Sequence, residues 1–168
     1  LDILLNNAAT VVLQPIGAFP ASGWDEVLAL NLKAPFMLTQ ALLPQLRAAA
    51  SDEHPARVIN IGSIGAELND AQGGYSYCAG KAGLAQMGRN LARDLAADRI
   101  TVNTIAPGSI LTELLAQHQS VDEVRARVPL GRMGGLADLG AAALYLASPA
   151  GSWVTGTTLT VDGGGLVA

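Results

Sequence analysis

At 168 residues, half of them apolar, the chain is long enough to form one domain with a sizeable core. Only 14% of its residues are charged and the net charge is −4, which leaves no basic face for a nucleic-acid backbone. Its apolar runs are broken by Gly, Pro or a polar residue well short of the roughly 18 residues of a membrane span, so no membrane partner is expected.

Leu1 to Leu5 has the composition of a buried parallel strand, and Asn6-Asn7 reads as its exit turn. The chain starts without Met and already inside this apolar run, as expected of a piece cut in front of a strand. A long helix is predicted from about Ser22 to Ala49, with Ser22 as N-cap and Asp25 as its partner. Arg57 to Ile61 is the second strand, closed by Gly62-Ser63, and Ser76 to about Ala97 the next helix. Ile100 to Ala106 forms a third, β-branched strand that Pro107-Gly108 ends abruptly. Helical pieces follow over Leu111 to Gln117, Val121 to Arg127 and Leu136 to Ala147, then a strand from Thr157 to Val161 and the turn Asp162 to Gly165. Strands alternating with helices predict an α/β fold, a parallel sheet covered on both faces, with residues 1–168 as a single domain.

Asn6-Asn7-Ala8-Ala9, Gly62-Ser63 and Pro107-Gly108 each fall immediately after a strand. In open α/β sheets ligands bind outside the carboxyl ends of the strands, so these clusters are expected to line one crevice. Of three tyrosines and two lysines, only Tyr77 has a lysine four residues on, which puts the phenol and the Lys81 ammonium on one helix face. Such a pair alone is more often a solvated surface. Its place fourteen residues after Ser63, and downstream of Asn31, gives it weight. Cys78 is the only cysteine, which fits a reducing cytoplasm; it sits about 100° around the helix from Tyr77 and reads as a packed thiol. His54 and His118 have no helical or hairpin spacing that would pair them as metal ligands and read as solvent-facing, so no metal is expected. Tyr75 reads as a cleft wall or packing residue, and Asp162 to Gly165 as a turn that ends a strand.

These motifs, in this order, resemble the short-chain dehydrogenase/reductase family over essentially the whole chain. Asn6-Asn7-Ala8-Ala9 is similar to the family's Asn-Asn-Ala-Gly turn, and Asn31 to its active-site Asn. Ile59 to Ser63 resembles the catalytic-serine strand, Tyr77 to Lys81 the catalytic helix, and Val102 to Thr112 the nicotinamide-side segment. Gly131-Arg132-Met133 and Thr155 to Gly164 resemble the family's carboxyl-terminal signatures. The resemblance implies a Rossmann-like doubly wound parallel sheet, a homo-oligomer, and NAD or NADP as cofactor for a small alcohol or ketone substrate. It implies Tyr77 as acid/base, Ser63 as the hydrogen-bonding partner of the substrate oxygen, and catalytic roles for Asn31 and Lys81. Asn6, Asn7, Ala8, Tyr77, Lys81, Pro107, Gly108, Ile110 and Thr112 would line the cofactor; for Asn6 and Asn7, bracing the neighbouring strand is an equal alternative.

A free tyrosine titrates near 10, too high for a base at neutral pH. A cation about 6 Å away, at an effective dielectric near 20, favours phenolate by about 2.8 kcal/mol. Lys81 is therefore expected to supply most of the activation, and the bound cofactor the rest. Pro35 has no N–H for the Asn31 carbonyl, which predicts a kink there and a freed carbonyl; the resemblance implies that this main-chain group continues a proton path from Tyr77 through Lys81 to solvent.

Three features depart from the family pattern, one of them Ala9 where the family has Gly. No Gly-x-Gly-x-x-Gly lies between a strand and a helix, so the residues that grip the cofactor phosphates and separate NAD from NADP are expected upstream of Leu1. The Leu1 to Leu5 strand is then expected to be an unpaired apolar edge. The spacing from Ser63 to Tyr77 is one residue longer than the commonest, which predicts an extended substrate loop lined by Glu67, Asn69, Asp70 and Gln72. Competing expectations are a family-fold binding or regulatory protein without turnover, and sugar-nucleotide epimerisation.

Overall fold

A computed structural model describes residues 1–68, 73–111 and 120–168. Four strands, β1 (Ile3–Asn6), β2 (Ala56–Ile61), β3 (Ile100–Pro107) and β4 (Thr158–Val161), form one parallel sheet in the order β1-β2-β3-β4. The register places Leu4 beside Val58, Val58 beside Val102, and Ile105 beside Leu159. Because side chains alternate across a strand, these rows serve two faces. Leu4, Ala56, Val58, Ile100 and Val102 pack with Leu46, Ala92 and Leu95 on one face. Ile59 and Ile105 pack with Ala142 and Leu146 on the other. Helices therefore cover the sheet on both sides, in a Rossmann-like α/β architecture.

The predicted long helix is divided. It begins at Ala21 after Pro20, with no side-chain cap, so Ser22 lies inside the helix rather than capping it. Proline's fixed φ prepares the chain for the first turn without a capping hydroxyl. Helix α1 (Ala21–Leu28) runs into a π-helical turn, Ala29–Lys33, then α2 (Ala34–Ala41); Leu42 breaks the path before α3 (Leu43–Ala49). Pro35 and Pro44 each sit in the first turn of the helix they open, where a missing N–H costs least. Thr39 Oγ1 donates to the Pro35 carbonyl at 2.7 Å, adding to the local bend.

Helix α4 (Tyr75–Leu95) is the longest and lies on the sheet beneath which Asn60 and Thr104 are buried. A Cβ at Gly88 would lie 3.2 Å from Thr104 Oγ1 and 3.5 Å from Asn60 Nδ2, so the glycine admits this close approach. Helix α5 (Val121–Ala126) starts at Ser120, whose hydroxyl accepts from Glu123 N. Helix α6 (Leu136–Ala147) has the predicted bounds and covers the second face. Arg57, the one cation in β2, is buried; its Nε donates to the Leu146 carbonyl at 3.1 Å and the guanidinium also reaches Pro55 and Ser148. It satisfies carbonyls at the end of α6 that have no intrahelical donor.

Beyond α6 the coverage stops. Ile3 and Leu5, on the outer face of β1, are 46% and 47% exposed, and β1 pairs only with β2 among the described residues. Among the described residues no single helix is long and apolar enough to cross a membrane, although α1–α2 and α3, bent by 57°, pass that test as a pair. The predicted helix over Leu111 to Gln117 lies largely outside the described residues, as do Asn69, Asp70, Gln72, Thr112 and His118.

Candidate active site

Parallel strands bring their carboxyl ends to one edge of the sheet, and the expected clusters lie there. Asn6, Ile61 and Pro107 end β1, β2 and β3 respectively. Gly62 continues from β2 with its N–H on the Ile105 carbonyl at 2.7 Å, and a Cβ there would lie 2.7 Å from Thr104 Cγ2. Only glycine fits, so the chain turns tightly and presents Ser63. The Ser63 hydroxyl accepts from Gly65 N at 3.0 Å, which caps the short 3₁₀ turn Ile64–Ala66.

Helix α4 delivers Tyr77 and Lys81 to this edge. The Ser63 hydroxyl lies near enough to the Tyr77 phenol to lower its pKa, and a Cβ at Gly65 would lie 3.3 Å from Ser63 Oγ and 3.8 Å from Tyr77 Cε1. Lys81 Nζ stands 5.6 Å from the centroid of the Tyr77 ring and donates to the Ile61 carbonyl at 2.7 Å. Ser63, Tyr77 and Lys81 thus converge, although they belong to a strand exit and a helix far apart in sequence.

The electrostatics differ from expectation at the phenol. Burial raises the Tyr77 pKa above 10, and the lowering influence on it is the Ser63 hydroxyl. Burial therefore outweighs any lowering at the phenol, and the Lys81 ammonium beside it donates to the Ile61 carbonyl. Burial brings the Lys81 pKa down to about 8. At neutral pH the phenol keeps its proton.

Asn31 is fully buried in the π-helical turn. Its carboxamide clamps Thr10 in both directions: Thr10 N donates to Oδ1 at 2.9 Å and Nδ2 donates to the Thr10 carbonyl at 2.8 Å. The side chain therefore fixes the segment that leaves β1. This clamp on Thr10 was not legible, since Thr10 carries no pattern of its own.

Asn6 resolves in favour of bracing: its Nδ2 donates to Asn60 Oδ1 at 2.9 Å, beneath α4. Asn7 and Ala8 are exposed just beyond. Pro107, Gly108 and Ile110 lie at the end of β3, and Ile110 forms a parallel bridge with Gly134. Thr112 falls outside the described residues. Asn103, buried in β3, donates to the Val154 carbonyl at 2.7 Å and accepts from Thr157 N at 3.1 Å, tying the entry to β4.

Two clefts flank this edge. One, of about 440 Å³, is bordered by Ile110, Arg132, Asp138 and Asp162; Arg132 Nη1 pairs with Asp138 at 2.8 Å. The other, of about 540 Å³, is walled by Phe19, Trp24 and Tyr75. Tyr75 packs edge-on against Phe19, with centroids 5.9 Å apart, as a packing residue. Cys78 is half-buried and burial raises its pKa, so the thiol stays protonated at neutral pH. No cluster of metal-ligating side chains occurs among the described residues.

Residues 1–165 match the family model described as Enoyl-(Acyl carrier protein) reductase. The chain belongs to the short-chain dehydrogenase/reductase family. A rhamnolipids biosynthesis 3-oxoacyl-(acyl-carrier-protein) reductase of Pseudomonas aeruginosa is 42% identical over 168 residues, covering 98% of this chain and 66% of the relative. The 3-oxoacyl-(acyl-carrier-protein) reductase FabG of Escherichia coli is 36% identical over 166 residues, or 97% and 66% of the two chains. The chain thus spans 66% of the length of these curated short-chain dehydrogenase/reductase relatives. Among solved structures, a Pseudomonas aeruginosa RhlG/NADP active-site complex superposes with a TM-score of 0.94 at 40% identity, over 99% of this chain and 66% of that one. A Brucella melitensis 3-ketoacyl-(acyl-carrier-protein) reductase complexed with NADH gives 0.89 at 29% identity, over 98% and 67%.

Proposed function

We propose that this chain carries the proton-transfer site of an NAD(P)-dependent oxidoreductase that interconverts an alcohol and a ketone. The observation that carries the reading is the convergence of the Ser63 hydroxyl, the Tyr77 phenol and the buried Lys81 ammonium at the carboxyl end of the sheet. The reductases to which the chain is similar, and the NADP and NADH complexes among the matching structures, support it.

The exposed Asn7 and Ala8 after β1 and the glycine turn at Gly108 after β3 leave room at the strand ends for the nicotinamide end of such a cofactor. Asn7, Ala8, Pro107, Gly108 and Ile110 would line it, together with Tyr77 and Lys81. When bound, the cofactor supplies or accepts the hydride. Ser63 binds the substrate oxygen and orients it towards the phenol. Tyr77, protonated at neutral pH, is in the form that gives a proton to a carbonyl oxygen, so reduction is the direction favoured without further activation. Lys81 keeps a positive charge near the phenolate left behind, and its own pKa near 8 allows it to pass a proton on. Asn31 holds the segment after β1 and offers its main-chain carbonyl to a proton path. A cytoplasmic homo-oligomer goes with this reading.

Oxidation of NADPH and NADH by the whole protein should be followed across a panel of 3-oxoacyl thioesters, keto acids and simple ketones. Tyr77→Phe is expected to lower kcat about 10²- to 10⁴-fold on any substrate that turns over. Undiminished turnover by that variant would refute the role.

A further inference from the structure

The turn that ends β4 is built around one carboxylate. Asp162 Oδ1 accepts from Gly164 N at 2.9 Å and Oδ2 accepts from Leu166 N at 2.7 Å. Both oxygens are thereby used to wind the carboxyl-terminal 3₁₀ turn Gly165–Val167. Gly163 and Gly164, at φ values of 65° and 91°, allow the reversal that brings those N–H groups round.

Three segments meet this turn. The backbone of Gly108 pairs with β4 through its N–H on the Val161 carbonyl at 3.0 Å, and a Cβ at Gly108 would lie 2.6 Å from Asp162 Cβ. The Gly163 carbonyl accepts from Leu130 N at 3.1 Å. At its far end, a Cβ at Gly165 would lie 3.6 Å from Ile64 Cδ1. Ile64 directly follows Ser63, and Gly108 lies on the segment read as facing the nicotinamide. The turn that this carboxylate winds therefore stands between the two walls between which the reacting carbon would sit.

We propose that Asp162 is a positioning residue: it holds the carboxyl-terminal turn against Ile64, and the turn sets the wall met by the substituent on the substrate's carbonyl carbon. This rests on the reading of Ser63 and Tyr77 as the reacting centre. Asn at this position retains one acceptor, but its amide group faces an N–H donor where the second oxygen stood, so half of the clamp is lost.

In the whole protein, Asp162→Asn is expected to shift the Ile64 δ1 methyl resonance and to raise KM for the carbonyl substrate about tenfold, with kcat changed less than about threefold. An internal truncation that removes residues 165–167 but keeps Asp162 should show the same two changes. Combining them should add nothing, because both act through one element. An unmoved Ile64 methyl, effects that multiply, or a loss confined to kcat would overturn the proposal. If Asp162→Asn does not fold, the truncation decides by the same two readouts. Undiminished turnover in Tyr77→Phe would instead sink the underlying reading, while the Ile64 methyl still reports on Asp162.

Discussion

The Lys81 ammonium is held 2.7 Å from the Ile61 carbonyl with almost no access to water, and that desolvation brings its pKa from 10.5 to about 8. Below pH 8 the lysine is charged in both folded and unfolded chains, and the fold bears the full cost of burying it, about 3 kcal/mol. Between pH 8 and 10.5 the folded chain releases the proton first, the unfolded chain binds more protons, and stability rises with pH. Lys81→Met removes this titration, while Tyr77 titrates in both proteins and drops out of the comparison. The stability of the parent relative to Lys81→Met is therefore expected to increase across that window, as measured by urea denaturation at a series of pH values; a flat difference would contradict the assigned burial. The Tyr-x-x-x-Lys spacing was legible because helical geometry puts positions four apart on one face. The direction of the phenol shift was not. It depends on how much water the fold removes from Tyr77, which is not encoded near residue 77.

At the level of elements, the stretch from Ala21 to Ala49 shows what two prolines do to an apolar helical pattern. The periodicity is continuous, yet Pro35 removes a donor in the second segment and Pro44 opens the third, so the chain forms α1, a π-helical turn, α2 and α3. The π-helical turn carries Asn31 into the core, where it clamps Thr10 through two hydrogen bonds. Asn31→Ala leaves both main-chain groups of Thr10 without that partner and is expected to cost about 2 kcal/mol. Chemical denaturation measures it, and a loss of a few tenths would mean that water replaces the clamp. The predicted bounds of α6 held to the residue because Gly135 and Asp138 mark its start and Ser148 its end. The predicted N-cap at Ser22 did not, because the N-cap is Pro20, two residues earlier.

For the whole molecule, the consequence of the strand order is the edge at β1. Leu4 and Asn6 point into the α4 face, while Ile3 and Leu5 stand exposed on the face that α6 does not reach. An apolar strand edge of this kind templates pairing with another chain. The 168-residue chain alone is therefore expected to self-associate, and Ile3→Lys with Leu5→Lys to suppress this while leaving helical circular dichroism unchanged. Light scattering over a concentration series distinguishes the outcomes, and association undiminished by the two lysines would move the sticky surface elsewhere. By itself the sequence determined the parallel α/β sheet, its strand positions to within about two residues, and the order of the motifs. These depend on periodicity and on Gly and Pro, which act locally. Only the tertiary structure decided that Asn6 braces Asn60, that Asn31 holds Thr10, and that the turn wound round Asp162 brings Gly165 against Ile64. Each of these joins groups whose sequence separation carries no pattern, and their partners are fixed only when the strands lie side by side.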